Sequence, residues 1–270
     1  MSVPNPAPIT FRLERPRPGV VVLTLDRPDR YNAMTPTMFA ELEATARALD
    51  REDGLRVLVI TGAGKAFCAG YDLAHAEKLP ELGALGMLAL QESAARALSA
   101  IRGIRVPVIA AVNGAAAGGG LALALAADIR LAGPRAKFVP SFVTIGLSAG
   151  DLGTSWLLPR LIGPAAAAEF LYSARTMGAD EAERLGLVNR TTSEDGLLDA
   201  ALEMAAQICG NSPGGVQLSK RALQANMEAS SYAAALELEN RGQALLTRTE
   251  DMTEALDAFR VKRAPNFSGR

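Results

Sequence analysis

The sequence predicts an α/β protein, and three observations support that prediction. Short apolar segments rich in β-branched residues alternate with amphipathic segments of helical length between residues 10 and 211. Three successive glycines at positions 118–120 stand directly before the segment 121–127, which is apolar on every side, as buried helices are. Beyond residue 212 only amphipathic helical segments follow. We therefore expect a core over residues 10–211 and a helical region over residues 212–270.

The alternation assigns each element in turn. Thr35 followed by Pro36 marks the start of the first helix, and Gly186 and Gly210 mark the ends of two later ones. The proline-rich residues 1–9 predict a loose arm. Strands are predicted over residues 11–15, 20–25, 57–61, 108–112 and 129–131. Helices are predicted over residues 36–50, 85–102, 121–127, 154–161, 165–173, 179–185, 196–208, 216–227, 232–248 and 252–260, and residues 137–151 are predicted as a loop.

Composition excludes several classes of function. The chain has 270 residues, 49% of them apolar, and a formal net charge of −1, so no basic field attracts nucleic acid or an anionic membrane. Neither a basic leader nor an apolar run of membrane-spanning length is present, which predicts a cytoplasmic protein. The cysteines are Cys68 and Cys209, and the one histidine is His75, so we expect no metal site built on these residue types.

Two glycine-rich segments follow predicted neighbouring strands. Strands 57–61 and 108–112 are both short and apolar, so we expect them to lie side by side, with the loops at 67–72 and 117–120 at one sheet edge. Backbone N–H groups from both loops would then converge on one oxygen. Such an oxyanion hole stabilises an enolate or tetrahedral oxyanion by roughly 3 to 4 kcal/mol per donor. The alternative is that the three glycines only make a tight turn into a core helix.

The two loops also carry a resemblance to a known family. FCAGYDL at 67–73, followed by PVIAAVNGAAAGGGLALALAADIRLA at 107–132, resembles the signature of the enoyl-CoA hydratase/isomerase (crotonase) superfamily. The resemblance extends from about Val20, through RPDRYNAM at 27–34, to KRAPNF at 262–267, and so covers nearly the whole chain. It implies a spiral core of repeated ββα units and a C-terminal helical oligomerisation region. It also implies a homotrimer or hexamer that acts on an acyl-coenzyme A thioester and needs no further cofactor.

The resemblance assigns roles to individual positions. It places the two oxyanion N–H donors on Tyr71 and Gly119, beside Gly118. It maps the basic contact with the coenzyme A phosphates to Lys262 or Arg263. The remaining coenzyme A contacts that it implies fall around Asn32, Ala33, Ala69, Gly70, Asp72 and Leu73.

The sequence departs from the hydratases of this family at two positions. Hydration uses two glutamates, one to activate water and one to deliver a proton, and the matching positions hold Ala122 and Phe142. A carboxylate remains at Asp151, two residues before a Gly-Thr pair, where the dienoyl-CoA isomerases of the family also carry an aspartate. One carboxylate can move a proton between two carbons of the acyl chain, which favours double-bond isomerisation. The apolar pair predicts an acyl pocket suited to a bulkier or aromatic group.

Several alternatives stay open. Asp151 could instead cap the helix near Thr154 or pair with Arg160. The protein could hydrate its substrate with other groups, or bind acyl-CoA without turning it over. Asp72 and Asp128 resemble structural aspartates of the family.

Three further motifs predict no activity. The G-x-S-x-G match around Ser148 lacks a histidine later in the chain. Cys68 has the features of a small buried hydrophobe. Gly62 and Gly64 lack the third glycine of a dinucleotide site.

Overall fold

The computed structural model describes residues 8–193 and 195–270. Most of the predicted arm at residues 1–9 lies outside the described residues. The strands are β1 (Phe11–Arg17), β2 (Val20–Leu25), β3 (Val57–Gly62), β4 (Ala66–Cys68), β5 (Val108–Val112), β6 (Ala115–Ala117), β7 (Ile129–Ala132), β8 (Lys137–Val139), β9 (Met177–Gly178) and β10 (Arg190–Thr191). The α-helices are α1 (Pro36–Asp50), α2 (Leu73–Ala76), α3 (Gly83–Gly103), α4 (Gly119–Ala126), α5 (Thr154–Ile162), α6 (Pro164–Ser173), α7 (Ala179–Leu185), α8 (Leu197–Cys209), α9 (Pro213–Asn226), α10 (Tyr232–Leu246) and α11 (Glu250–Arg260).

The larger sheet of the described residues has the strand order β1-β2-β3-β5-β7-β10. β1 and β2 form an antiparallel hairpin, and every other neighbouring pair in this sheet is parallel. Because parallel strands need a crossover between them, α1, α3 and α4 connect successive strands of the sheet. The α/β class predicted from the sequence is confirmed.

Both faces of the larger sheet are buried at its inner strands β2, β3 and β5. Leu58 and Ile60 point into the main core, which includes α1, α3 and α4. Val57 and Val59 point to the opposite face, where α8 covers them. Alternate residues of a strand face opposite sides, so a strand buried on both sides is apolar throughout. This explains why β2, β3 and β5 are almost uninterrupted runs of apolar residues.

A second sheet has the order β4-β6-β8-β9, with β4, β6 and β8 parallel. The prediction missed these three strands and treated each segment as loop or turn. Each is three residues long, so none can show the alternation by which a strand is recognised in a sequence. β4 follows β3 and β6 follows β5, so the pairing of β3 with β5 brings β4 beside β6.

The C-terminal helices begin where Ser212 caps α9, its hydroxyl accepting a hydrogen bond from the Gly215 N–H. Lys220 of α9 is 7% exposed and reaches the core, where it pairs with Asp128 at 2.7 Å and donates to the Val106 carbonyl. The division of the chain into a core over residues 10–211 and a helical region over residues 212–270 stays a prediction. Large apolar side chains are exposed on these helices, among them Leu223, Tyr232, Leu238, Leu245, Leu256 and Phe259.

None of the helices in the described part of the chain is both long enough and apolar enough to cross a bilayer.

Candidate active site

The two glycine-rich loops meet at one edge of the molecule, as predicted. β3 and β5 are adjacent and parallel, and β4 and β6 continue from them as a second parallel pair. The loop after β4 carries Gly70 and Tyr71, and the residue after β6 is Gly118, which leads directly into α4. The distance from the position of a Cβ on Gly70 to the Gly119 nitrogen would be 3.4 Å. The two loops are therefore in backbone contact.

Close approach makes glycine necessary at two positions. Gly70 has φ +90°, and a Cβ there would lie 2.8 Å from the Ala117 carbonyl oxygen. At Gly120 a Cβ would lie 2.0 Å from the carbonyl oxygen of Cys68. Both obstacles are backbone atoms, which cannot swing aside as a side chain does. The glycines thus allow contact between the loops, which the alternative of a simple turn into a helix would not require.

The two predicted donors are backbone N–H groups of Tyr71 and Gly119. Tyr71 pairs with Met34 in a parallel bridge in which the Met34 N–H donates to Gly70 and the Asp72 N–H donates to Met34. This pairing turns the Tyr71 N–H away from Met34. Gly119 is the first residue of α4, so its N–H has no acceptor within the helix. Within the described residues neither N–H donates to a protein acceptor.

The electrostatics of α4 favour negative charge at the loops. The N-terminus of a helix carries partial positive charge, and α4 begins at the two loops. At the opposite end the buried Arg130 guanidinium donates to the carbonyls of Ala127 and Leu187. Burial lowers the pKa of Arg130 to about 10, so this cation remains charged at neutral pH. The Arg130 cation thus lies at the negative end of α4, and the positive end of α4 faces the two loops.

An ion pair between the partly buried Arg27 and the buried Asp72 holds the Tyr71 loop. The Arg27 guanidinium lies 2.9 Å from the Asp72 carboxylate and also donates to the Ala33 carbonyl. Burial opposes ionisation of Asp72, but the hydrogen bonds from Arg27 and the Ala74 N–H and nearby positive charge outweigh it, so the Asp72 pKa is lowered. Asp72 also caps α2 through Ala74. These contacts agree with the structural character predicted for Asp72.

Asn32 connects the chain after β2 to the turn between β3 and β4. Its side chain is fully buried, accepts from the Arg27 N–H and donates to the carbonyls of Ala63 and Ala66. The side chain is thus committed to the protein, and the Asn32 N–H donates to the Arg27 carbonyl, so the Asn32 carbonyl remains for the predicted coenzyme A contact.

Asp151 lies in the segment that connects β8 to α5. Two residues in succession, Leu152 at φ +47° and Gly153 at φ +84°, adopt left-handed backbone conformations before α5 begins. A left-handed conformation at a leucine is strained, and such strain concentrates at functional sites. A Cβ on Gly119 would lie 3.7 Å from Leu152 Cδ1. The turn therefore packs the residue after Asp151 against the second predicted donor.

The Asp151 carboxylate is partly buried and accepts a hydrogen bond from the Gln91 side-chain amide of α3. Desolvation raises the Asp151 pKa, although the bonds from Gln91 and the Leu152 backbone oppose the shift. Neither alternative role is observed: α5 has Gly153 as its N-cap with no side-chain cap, and Arg160 stacks on Trp156. A carboxyl with a raised pKa is suited to exchange protons near neutral pH.

The two positions where hydratases carry glutamates are apolar and buried. Ala122 is fully buried, and Phe142 is 4% exposed in the same core cluster. The Phe142 ring lies 3.9 Å from the position that a Cβ on Gly118 would occupy. No proton donor can act from either position.

The other predicted contacts are dispersed. Ala69 and Leu73 are exposed on the Tyr71 loop, while Ala33 is buried behind it. Lys262 is exposed on the C-terminal segment, at φ +54°. Its neighbour Arg263 is held by Glu254, so of the two phosphate candidates Lys262 is the better placed to bind a ligand.

The rival nucleophiles do not fit. Cys68 is fully buried, which raises its thiol pKa to about 12, so it has no thiolate to react with. Ser148 accepts a hydrogen bond from the Gly150 N–H within an exposed loop. His75 is exposed on α2, with its ring against the edge of Tyr71.

Sequence reasoning missed Gln91, Arg27 and Met34. Arg27 could have been suspected, because it stands in the RPDRYNAM motif directly before a polar loop. Gln91 gives no signal in the sequence, since it is one polar residue on a long amphipathic helix.

Known proteins resemble this chain over nearly its whole length. The profile of the family described as enoyl-CoA hydratase/isomerase matches residues 15–270. A Mycobacterium leprae protein described as a probable enoyl-CoA hydratase is 39% identical over 256 residues, covering 93% of this chain and 87% of that protein. The 1,2-epoxyphenylacetyl-CoA isomerase of Escherichia coli is 36% identical over 265 residues, covering 96% and 99%. A solved enoyl-CoA hydratase of Bacillus anthracis superposes with a TM-score of 0.91 at 32% identity, covering 97% and 100%.

Proposed function

The chain belongs to the enoyl-CoA hydratase/isomerase family, and we propose that it moves a carbon–carbon double bond within an acyl-CoA thioester. Its α/β core and C-terminal helices have the crotonase fold. The observation that carries the proposal is the combination of one partly buried carboxylate, Asp151, with apolar residues at both hydratase glutamate positions.

The proposed reaction begins with a 3-enoyl thioester. The Asp151 carboxylate removes a proton from the α carbon, and the electron pair passes to the thioester oxygen, forming a dienolate. The N–H groups of Tyr71 and Gly119 stabilise that oxyanion by roughly 3 to 4 kcal/mol each. Asp151, now protonated, returns the proton to the γ carbon, and the product is the conjugated 2-enoyl thioester. No water enters the reaction.

The raised pKa of Asp151 suits this cycle. The same group acts first as a base and then as an acid, and proton transfer is most efficient when the pKa lies near the working pH. Burial destabilises the ionised form and so moves the pKa in the required direction.

The second candidate is hydration by other groups, which is favoured by the description of the Mycobacterium leprae relative as a hydratase. A third is binding without turnover. Incubation with crotonyl-CoA and with a 3-enoyl-CoA in D₂O separates them. Double-bond shift or α-carbon deuteration supports isomerisation, and hydration of crotonyl-CoA supports the second candidate. Binding without either reaction supports the third.

The direct test of the proposed mechanism is Asp151→Asn. We expect this variant to lose isomerisation and α-proton exchange while its affinity for coenzyme A thioesters stays nearly unchanged, because the oxyanion donors are retained. Asp53→Asn, the same change at an exposed carboxylate, is the matched control and should behave as wild type. Full turnover by Asp151→Asn would reject the assignment.

Assembly into a trimer or hexamer is part of the same proposal. The exposed apolar side chains of α9 to α11 support it, because a partner subunit would remove them from water. Sedimentation of the purified protein tests it directly.

A further inference from the structure

Gln91 connects the Asp151 loop to the rigid part of the molecule. It lies near the middle of α3, whose buried residues Ala94, Ala97 and Leu98 pack into the main core. Its Nε2 donates to Oδ1 of Asp151. Within the part of the chain that the structure describes, the Asp151 carboxylate accepts no hydrogen bond from any other side chain.

The loop needs such a connection. Residues 143–148 are exposed, and the chain reaches α5 through the strained turn at Leu152 and Gly153. A side chain at the end of an exposed loop samples several rotamers, and a misplacement of about 1 Å can cost on the order of 100-fold in rate. The bond from Gln91 restricts the Asp151 carboxyl to one position relative to α3.

An amide is chemically suited to hold an acid/base group. A glutamine side chain has two N–H donors and one carbonyl acceptor. It can donate to an ionised carboxylate, and its carbonyl can accept from the same group once that group is protonated. Lysine has donors but no acceptor, so it could not accept the proton of the neutral Asp151 carboxyl.

Charged neighbours do not supply this function. Glu92 and Arg96, on the same helix, pair with each other, and Arg160 of α5 stacks on Trp156. α4 contains no charged residue. Desolvation raises the Asp151 pKa, and the two hydrogen bonds that oppose this shift, from Gln91 and Leu152, come from uncharged donors.

We propose that Gln91 is a positioning residue that holds the Asp151 carboxyl toward the acyl group in both its ionised and its protonated state. The inference rests on the proposed function only for its effect on turnover. The contact between the two side chains, and its effect on the carboxyl, can be tested in the free protein.

The experiment compares Gln91→Leu with wild type in two measurements. The first is the titration of Asp151 in the free protein by ¹³C NMR of labelled aspartate carboxyls, with the resonance assigned through Asp151→Asn. Loss of the donor should move this titration to higher pH, because the hydrogen bond favours the ionised form. The second is isomerisation of a 3-enoyl-CoA, where kcat should fall by about 10-fold with KM nearly unchanged.

Two further variants complete the test. Gln91→Glu has nearly the same shape but a carboxyl in place of the amide N–H donor. Two carboxyls in contact share a proton, so the Asp151 titration should move at least as far. Glu92→Gln, one position along α3 and exposed, is the control and should change neither measurement. Because Gln91 is only partly buried, both substitutions should leave the fold intact.

The outcomes separate the two proposals. An unchanged Asp151 titration in Gln91→Leu overturns the inference, whatever the reaction turns out to be. A shifted titration with unchanged kcat also overturns it, because the bond would then be structural only. Full activity of Asp151→Asn would reject the proposed mechanism, whereas an inactive Asp151→Asn with an unaffected Gln91→Leu would reject the Gln91 inference alone.

Discussion

Two regions of the molecule would contribute the two halves of the proposed reaction, and they are built differently. The first is the pair of loops at 67–72 and 117–120, here called the oxyanion loops, and the second is the segment from β8 to α5, here called the Asp151 loop. The oxyanion loops are fixed by backbone: two parallel strand pairs, buried glycines and the bridge between Met34 and Tyr71. The Asp151 loop is largely exposed, and its carboxylate is tied to α3 by the side-chain amide of Gln91. We call the oxyanion loops the backbone half, because backbone pairing fixes them, and the Asp151 loop the attached half, because a side-chain contact holds its carboxylate.

This difference indicates which half can change during evolution. A backbone N–H donates whatever side chain its residue carries, so substitutions seldom remove it without disturbing the fold. Proton transfer depends on one or two side chains, which a single substitution can remove or move. Consistent with this, relatives described as a hydratase and as an isomerase match this chain over nearly the same length.

The largest effect should come from breaking the backbone half with Gly70→Ala. The new Cβ would lie 2.8 Å from the Ala117 carbonyl oxygen, so the loops must separate and the two donors no longer meet on one oxygen. Loss of one oxyanion donor costs about 10²- to 10³-fold in kcat. Steady-state kinetics with a 3-enoyl-CoA measure the effect.

Gly54→Ala is the matched control for that variant. Gly54 has φ +84°, close to that of Gly70, but a Cβ there meets no atom within 4 Å. Both variants therefore carry the same backbone strain, and only Gly70→Ala closes on the partner loop. Equal losses of kcat in the two would show that strain, and not contact between the loops, is responsible.

A middle-sized effect should follow Arg27→Ala, which leaves the buried Asp72 carboxylate unpaired behind the Tyr71 loop. Removing one partner of a buried ion pair destabilises a protein by about 3 kcal/mol. Chemical denaturation measures the loss. Because the Asp72 pKa is lowered in the native state, this stabilisation is present above the pKa of an unfolded aspartate. The gap between wild type and variant should narrow as pH falls through the native pKa.

A double variant sharpens this prediction. Arg27→Ala/Asp72→Asn removes both charges and keeps a side chain that can cap α2 through Ala74. It should cost less than the sum of the single changes, since no unpaired charge is left buried. Strict additivity would show that the ion pair does not stabilise the loop.

The smallest effect concerns the attached half and its pH dependence. Asp151 must be ionised to remove a proton, and desolvation raises its pKa. Exchange of the α proton should therefore decline, as pH falls, at a higher pH than an ordinary aspartate would give. The profile of kcat/KM against pH measures this limb. Because kcat/KM reports the pKa of the free enzyme, a limb in the ordinary aspartate range would contradict a raised pKa of Asp151.

The sequence predicted the backbone half well and the attached half only in part. Long apolar runs and three consecutive glycines are local signals, so the sheet, α4 and the contact between the loops could be predicted. The strands β4, β6 and β8 could not, because three residues show no periodicity. The left-handed turn at Leu152 was also missed, since leucine rarely adopts that conformation. The bond between Gln91 and Asp151 joins residues far apart in the chain and leaves no local pattern.

The parallel pairing of β4 with β6 also bears on how the protein folds. Ala66 pairs with Ala115, so the segments that hold the two donors come together only after a long stretch of chain, including all of α3, has been closed into a loop. Contacts of such high sequence separation form slowly, because chain entropy is lost before they are gained. Each segment carries one of the two proposed oxyanion donors. During refolding, helical structure should therefore return before the capacity to bind a thioester oxygen does.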